Sequence, residues 1–205
     1  MSRYIGPRNK ISRKFGVYIY GNKKYLQRKK YPPGQHGLLR KRIGRKSNYF
    51  IQLLEKQKLK YIYGILEKQL KKMFNIVYKK KGITGDLLLQ MCERRLDNVV
   101  YRIGYANSIF FARQLVSHKH ILVNNKIINI PSYQINVGDI ISLKNKMKNN
   151  INIINSLTIN RDRDNIQSWL LYKESEMIAE CIKLPTINDI KNKINTKLIV
   201  ELYSK

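Results

Sequence analysis

From Ser47 to about Tyr63 apolar residues recur at helical spacing, with Phe50, Leu53, Leu54 and Tyr61 on one face. Gly64 interrupts the pattern. Leu66, Leu70, Met73, Phe74 and Val77 then predict a second helix, stopped by Lys79-Lys80-Lys81-Gly82, where last-turn cations suit the dipole and glycine suits a left-handed cap. Thr84 is placed to cap a third, whose apolar face is Leu88, Met91 and Cys92, with Cys92 read as a small buried hydrophobe. The sharpest pattern follows. Leu96, Val99, Val100 and Ile103 keep i, i+3, i+4, i+7 spacing up to Gly104, and Asn107 or Ser108 can cap another helix with Ala112, Leu115 and Val116 inward. Two β-rich runs, Ile121–Val123 and Lys126–Ile128, flank Asn124-Asn125 and predict a tight hairpin; Gly138-Asp139 turns the chain into an apolar strand from Ile140 to Leu143. Trp169 to Leu171 read as core or a partner contact, Ile178 to Leu184 as a strand, and Pro185-Thr186 with Asp189 as a helix start. The apolar end, Leu198 to Tyr203, has to be buried on something.

Charge changes the picture. The 205 residues hold 41 Lys plus Arg against 13 Asp plus Glu, a formal charge of +28, which calls for a polyanionic partner, foremost nucleic acid. The distribution is graded: residues 1–46 carry 15 bases and no acid, whereas 158–205 carry eight bases and seven acids. The acid-free stretch has few aliphatic residues for a core and is expected to gain order against phosphate. Tyr4, Phe15, Tyr18, Tyr20, Tyr25 and Tyr31 lie among its bases, which suits stacking on RNA bases or, equally, local packing against the next helix. The near-neutral tail looks like a part that packs on protein. Lys, Ile and Asn total 28, 29 and 20, a bias that AT-rich codons produce.

Several classes are set aside. Two cysteines, Cys92 and Cys181, make neither a disulfide framework nor a CxxC zinc site. No run of 18 apolar residues occurs, and the start, MSRYIGPRNK, lacks an apolar signal region, so secretion is not expected. A peripheral protein on an anionic membrane predicts a cationic amphipathic helix with an embedded Trp, yet the single Trp169 lies in the near-neutral tail. There is no GxSxG elbow and no phosphate-binding glycine loop. His118 and His120 share a strand face and are a conceivable metal pair, but donors toward RNA are the favoured reading; Asp97, after Arg94-Arg95, is favoured as a salt-bridge or cap residue over a catalytic acid. Two short helices followed by a small sheet are expected to bring Arg94, Arg95, Arg113, His118, Lys119 and His120 near one edge.

The stretch Glu93-Arg94-Arg95-Leu96-Asp97-Asn98-Val99-Val100-Tyr101-Arg102, with Ala112 to His118, Val123-Asn124 and Gly138-Asp139, resembles the small RNA-binding module named after ribosomal protein S-four. Similar modules occur in RNA-modifying enzymes, but flanks of 92 and 48 residues leave little room for a catalytic domain. Arg3-Tyr4-Ile5-Gly6-Pro7, Pro33-Gly34-Gln35-His36-Gly37, Glu55-Lys56-Gln57-Lys58, Tyr63-Gly64-Ile65-Leu66-Glu67 and Ile199 to Lys205 extend the resemblance nearly end to end, to the small-subunit ribosomal protein family itself.

That resemblance implies an α+β fold: a helical domain with an inserted α/β RNA-binding module (two short helices plus a small antiparallel sheet) and a basic N-terminal extension. The divisions expected are 1–46 for the extension, 47–92 completed by 185–205 for the helical domain, 93–157 for the module and 158–184 for its continuation. It implies a non-enzymatic binder of the 5′ domain of small-subunit ribosomal RNA that nucleates assembly of the body. It also implies contact with small-subunit protein five, linked to translational accuracy, and a place on the path by which messenger RNA enters. RNA contacts are expected from Arg3, Arg8, Lys10, Arg13, Lys14, His36, Arg40, Arg42, Arg45, Lys46 and Lys56, and in the module from Arg94, Arg113, His118, Lys119 and His120. Many relatives carry an N-terminal cysteine cluster for zinc or iron–sulfur; none is present here, so the metal-free form with no cofactor is expected. Ile109 stands where relatives often place an Arg. The expected location is the cytoplasmic ribosome of a bacterium with a reduced AT-rich genome, or an organellar ribosome.

Overall fold

The computed structural model describes residues 4–20, 23–38, 47–161, 167–190 and 194–204. The chain divides into two units, residues 1–80 with 194–205, and residues 81–193. Among the described residues no helix is long and apolar enough to cross a membrane.

The first unit is helical. Helix α1 (Arg8–Phe15) ends at Gly16 and is followed by the short α2 (Lys23–Arg28). Aromatic side chains supply the core that the aliphatics of this stretch cannot: Tyr4, Phe15 and Tyr20 surround the Tyr61 ring, and Ile11 and Tyr20 are buried. Buried Ser12 fixes the turn back, donating to the Tyr20 carbonyl at 2.8 Å and accepting from the amides of Ile19 and Tyr20. Local packing is thus the role of these three aromatics.

Helix α3 (Asn48–Ile62) is capped by Ser47, which accepts from the Phe50 amide. Its fully buried positions are Gln52 and Leu59; of the expected face, Leu53, Leu54 and Tyr61 are half-buried and Phe50 is exposed. The C-terminal helix (Thr196–Tyr203) explains the difference: it lies along α3 with Ile199 fully buried, and Gln52 Nε2 donates to Glu201 Oε2 at 2.9 Å. The apolar end of the chain is therefore buried on α3. Helix α4 (Glu67–Tyr78) buries the expected Leu70, Met73, Phe74 and Val77, and Phe74 stacks on Tyr203 at 4.7 Å.

The second unit is α/β. Helix α5 (Thr84–Glu93) starts at Thr84 with Ile83 at the cap position and no side-chain cap bond, so Thr84 is not the cap it was expected to be. Leu88, Leu89 and Cys92 are buried, Leu89 taking the inward place expected of Met91. Helix α6 (Leu96–Ile103) ends at Gly104 as its spacing predicts, and α7 (Ile109–Ser117) is capped by Ser108. Strands β1 (Ile121–Val123) and β2 (Lys126–Ile127) join through Asn124-Asn125, both at positive φ (49° and 63°), as a two-residue hairpin demands. Strand β3 (Ile140–Leu143), helices α8 (Asn145–Lys148) and α9 (Ile151–Arg161), and strands β4 (Leu170–Lys173) and β5 (Ile178–Cys181) complete an antiparallel sheet of order β2-β1-β3-β5-β4. Its core unites the inward residues of α6 and α7 with Ile121, Val123, Ile141, Leu143, Ile153, Trp169 and Cys181, so Trp169 is core rather than a partner contact. At Thr186 the expected helix start is one 3-10 turn with a reciprocal cap, Thr186 N and Oγ1 both donating to Asp189 Oδ2. The whole is the α+β arrangement of a helical domain and a module of helices with a small antiparallel sheet.

Candidate nucleic-acid interface

The cations of the first unit divide into those held by the fold and those displayed. Arg13 is held: it donates to the carbonyl of Tyr31 at 3.2 Å and lies over the Tyr31 ring at 4.9 Å, which anchors the Pro-Gly loop. Gly37 closes that loop, because a Cβ there would meet the Pro32 carbonyl at 2.1 Å, and His36 beside it is exposed. Lys56 is also engaged internally, 2.6 Å from Glu67 and near the Tyr203 ring. Glu67 takes a hydrogen bond from Tyr203 as well; its carboxyl lies below the usual range because these donors and Lys60 outweigh its burial, which alone pushes upward. Lys14 reaches Gln57 at 2.8 Å, and Arg8 and Lys10 are exposed on α1. Arg3, Arg40, Arg42, Arg45 and Lys46 lie outside the described residues.

One cationic surface was not singled out from sequence. With Leu70, Met73, Phe74 and Val77 turned inward, α4 exposes Lys68, Lys71 and Lys72 on its opposite side, and Lys79 and Lys80 just after it. The signal was present in the helical period: the residues out of phase with the apolar face are lysines.

In the second unit the expected edge is partly an interior. Asp97, fully buried in the first turn of α6, accepts from Arg95 at 3.1 and 2.8 Å, and from Arg113 Nε and Nη2 at 3.0 and 2.7 Å. Arg95 and Arg113 therefore point inward, correcting their expected place at the edge; Arg113 is 8% exposed and ties α7 to α6. Asp97 is the salt-bridge residue the sequence favoured. A second buried pair, Glu93 with Arg102 at 2.6 Å, is completed by Asn98. Arg94 runs the other way, donating to the Ile135 carbonyl and to Asn136, whose amide meets Asp139; Asp139 accepts from Asn124 of the hairpin.

The turn from α7 to β1 displays what remains. His118 and Lys119 are exposed, Lys119 at φ 62°, and His120 is half-buried with its ring 6.0 Å from that of His118. Partial burial, then His118 and Lys144, push His120 below the usual histidine range. Among the described residues no group of three metal-ligating side chains forms. Cys92, fully buried, has its thiol pushed up to about 12 by desolvation, which leaves it protonated and inert. Exposed donors over a neutralised interior suit contact with anions through surface groups, and among the described residues no nucleophile is set against an acid–base pair.

Comparison with known proteins agrees in both units. Residues 3–93 match the family described as ribosomal protein S4/S9 N-terminal domain, and residues 94–141 match the S4 domain. Small ribosomal subunit protein uS4 of Amoebophilus asiaticus is 55% identical to this chain, that of Karelsulcia muelleri 52% and that of Christiangramia forsetii 48%, each over the full length of both chains. This chain belongs to the small ribosomal subunit protein uS4 family, whose members are structural RNA-binding proteins and not enzymes.

Proposed function

We propose that this protein binds the 5′ domain of 16S-type ribosomal RNA as a primary binder, nucleates assembly of the small-subunit body, and contributes to translational accuracy through contact with small-subunit protein five. Messenger RNA passes close by on its way in, and the ribosome concerned is the cytoplasmic one of a bacterium with an AT-rich genome. The observation that carries the RNA reading is a set of exposed cations that form no salt bridge among the described residues: Lys68, Lys71 and Lys72 on α4, Lys10 on α1, and Lys119 in the turn after α7. His36 and His118 are exposed beside them as donors. Phosphate contacts from such groups supply affinity, and RNA shape supplies specificity. Arg94 and Arg113 support the surface from behind in this reading, Arg113 by holding α7 on α6.

Binding to the 5′ domain, compared with an equally long structured RNA of unrelated sequence over a salt series, tests this. The expected result is an advantage for the ribosomal RNA that survives as salt rises. Equal affinities that collapse together would reduce the protein to a polycation.

A further inference from the structure

An antiparallel sheet with one face on a core usually turns polar side chains to the other. The register of this sheet does otherwise. One row across it runs Ile127, Leu122, Ser142, Ile178, Lys173, and the next runs Ile140, Glu180, Leu171. The alternating residues Ile141, Leu143, Ala179, Cys181 and Leu170 are buried in the core, so these two rows face away from it. Five of the eight are apolar, and Ile127, Ile140 and Leu171 are 51%, 43% and 44% exposed. Exposed apolar side chains grouped on an outer sheet face, here around buried Ser142 and half-buried Glu180, mark an interaction surface.

Its charge indicates the occupant. A groove bounded by Ile140, Leu171, Ile178, Lys173, Glu176 and Glu180 crosses β3, β5 and β4, with two carboxylates against one ammonium on a chain of +28. Glu180 sits between Ile140 and Leu171 and forms no ion pair among the described residues. We propose that this outer face docks a basic segment of another protein, whose apolar side chains cover Ile140, Leu171 and Ile178 and whose Arg or Lys meets Glu180. RNA fits poorly, since phosphate would meet Glu180 and leave the apolar residues uncovered. A second copy would set +28 against +28.

Two measurements decide it. In the first, amide shifts of the intact chain are followed as a synthetic peptide of alternating Arg and Val is added, with the Glu/Val peptide as control. Residues of β3, β5 and β4 should move with the basic peptide alone, and Glu180→Gln should weaken that binding about fivefold, as expected for one partly exposed charge pair. In the second, maleimide labelling of Leu171→Cys is timed in the free chain, on the 5′-domain RNA and in reconstituted small subunits; the buried native cysteines give a low background. Labelling should stay fast on RNA and slow about tenfold or more in the subunit, as the dry centre of a protein interface excludes reagent. Sheet residues unmoved by the basic peptide, protection by RNA alone, or full reactivity in the subunit would each overturn the proposal. It rests on the proposed ribosomal role only in the second measurement; failure to bind the 5′ domain would strike that role and leave the peptide titration to judge this one.

Discussion

Arg113 shows how much one side chain's direction matters. On an exposed edge its loss would remove one phosphate contact. Buried against Asp97, its loss leaves a carboxylate in the interior with one of its two guanidinium partners gone. Removing one member of a buried pair costs about 3–5 kcal/mol, so Arg113→Ala should lower the denaturant midpoint far more than Lys119→Ala. Lys119→Ala should leave stability nearly unchanged and weaken RNA binding. Chemical denaturation of the two variants beside the parent chain checks this; equal midpoints would return Arg113 to the surface. The sequence held the identity of the pair but not its direction. Arg113 lies on the same helical period as Ala112 and Val116, and only the fold brings it to a carboxylate 16 residues earlier. Arg94 and Arg95, adjacent in sequence, part company for the same reason: one meets Asn136, the other Asp97.

At the scale of the element, what is local was legible. Helices α4, α6 and α7, the Asn124-Asn125 hairpin and the cap at Ser108 follow from period, positive φ and hydroxyl acceptors within a few residues. One local expectation failed, the cap at Thr84; the failure at α3 depended on distance. The inward face of α3 is chosen by the C-terminal helix, with Glu201 reaching Gln52 across 149 positions, and no pattern within α3 announces it. The 3-10 turn at Thr186, where a local cap is joined by one distant donor, offers a prediction at this scale. Hydrogen bonds from Ser168, then from the Thr186 side chain and amide, hold the Asp189 carboxyl down at about 2. A carboxyl whose pKa is depressed on folding contributes stability above its unfolded pKa, near 4, and loses it as pH falls toward the folded value. Asp189→Asn should therefore flatten the loss of stability between about pH 4 and pH 2. Asp189 is half-buried at the surface, and the effect belongs to a modest cap. Denaturation midpoints across that pH range measure it, and an unchanged acid slope would remove Asp189 from the account.

For the whole molecule the question is which of 41 cations the RNA feels. Net charge alone cannot tell, because the fold has already assigned many of them: Arg95 and Arg113 to Asp97, Arg102 to Glu93, Lys56 to Glu67. Neutralised cations release no counterions when the chain binds. Free ones do, and each phosphate they meet steepens the fall of log affinity with log salt by about 0.7 to 0.9. Replacing Lys68, Lys71 and Lys72 together by Ala should therefore reduce the slope by roughly 2 to 3, for ribosomal and unrelated RNA alike, while α4 keeps its buried face and its stability. Arg113→Ala, compared at a temperature where it remains folded, should leave the slope unchanged. A triple variant whose slope matches the parent would show that α4 faces away from RNA and that the affinity resides in the N-terminal arm and the turn after α7. Equal slope loss in both variants would mean that the ion network around Asp97 opens when RNA binds.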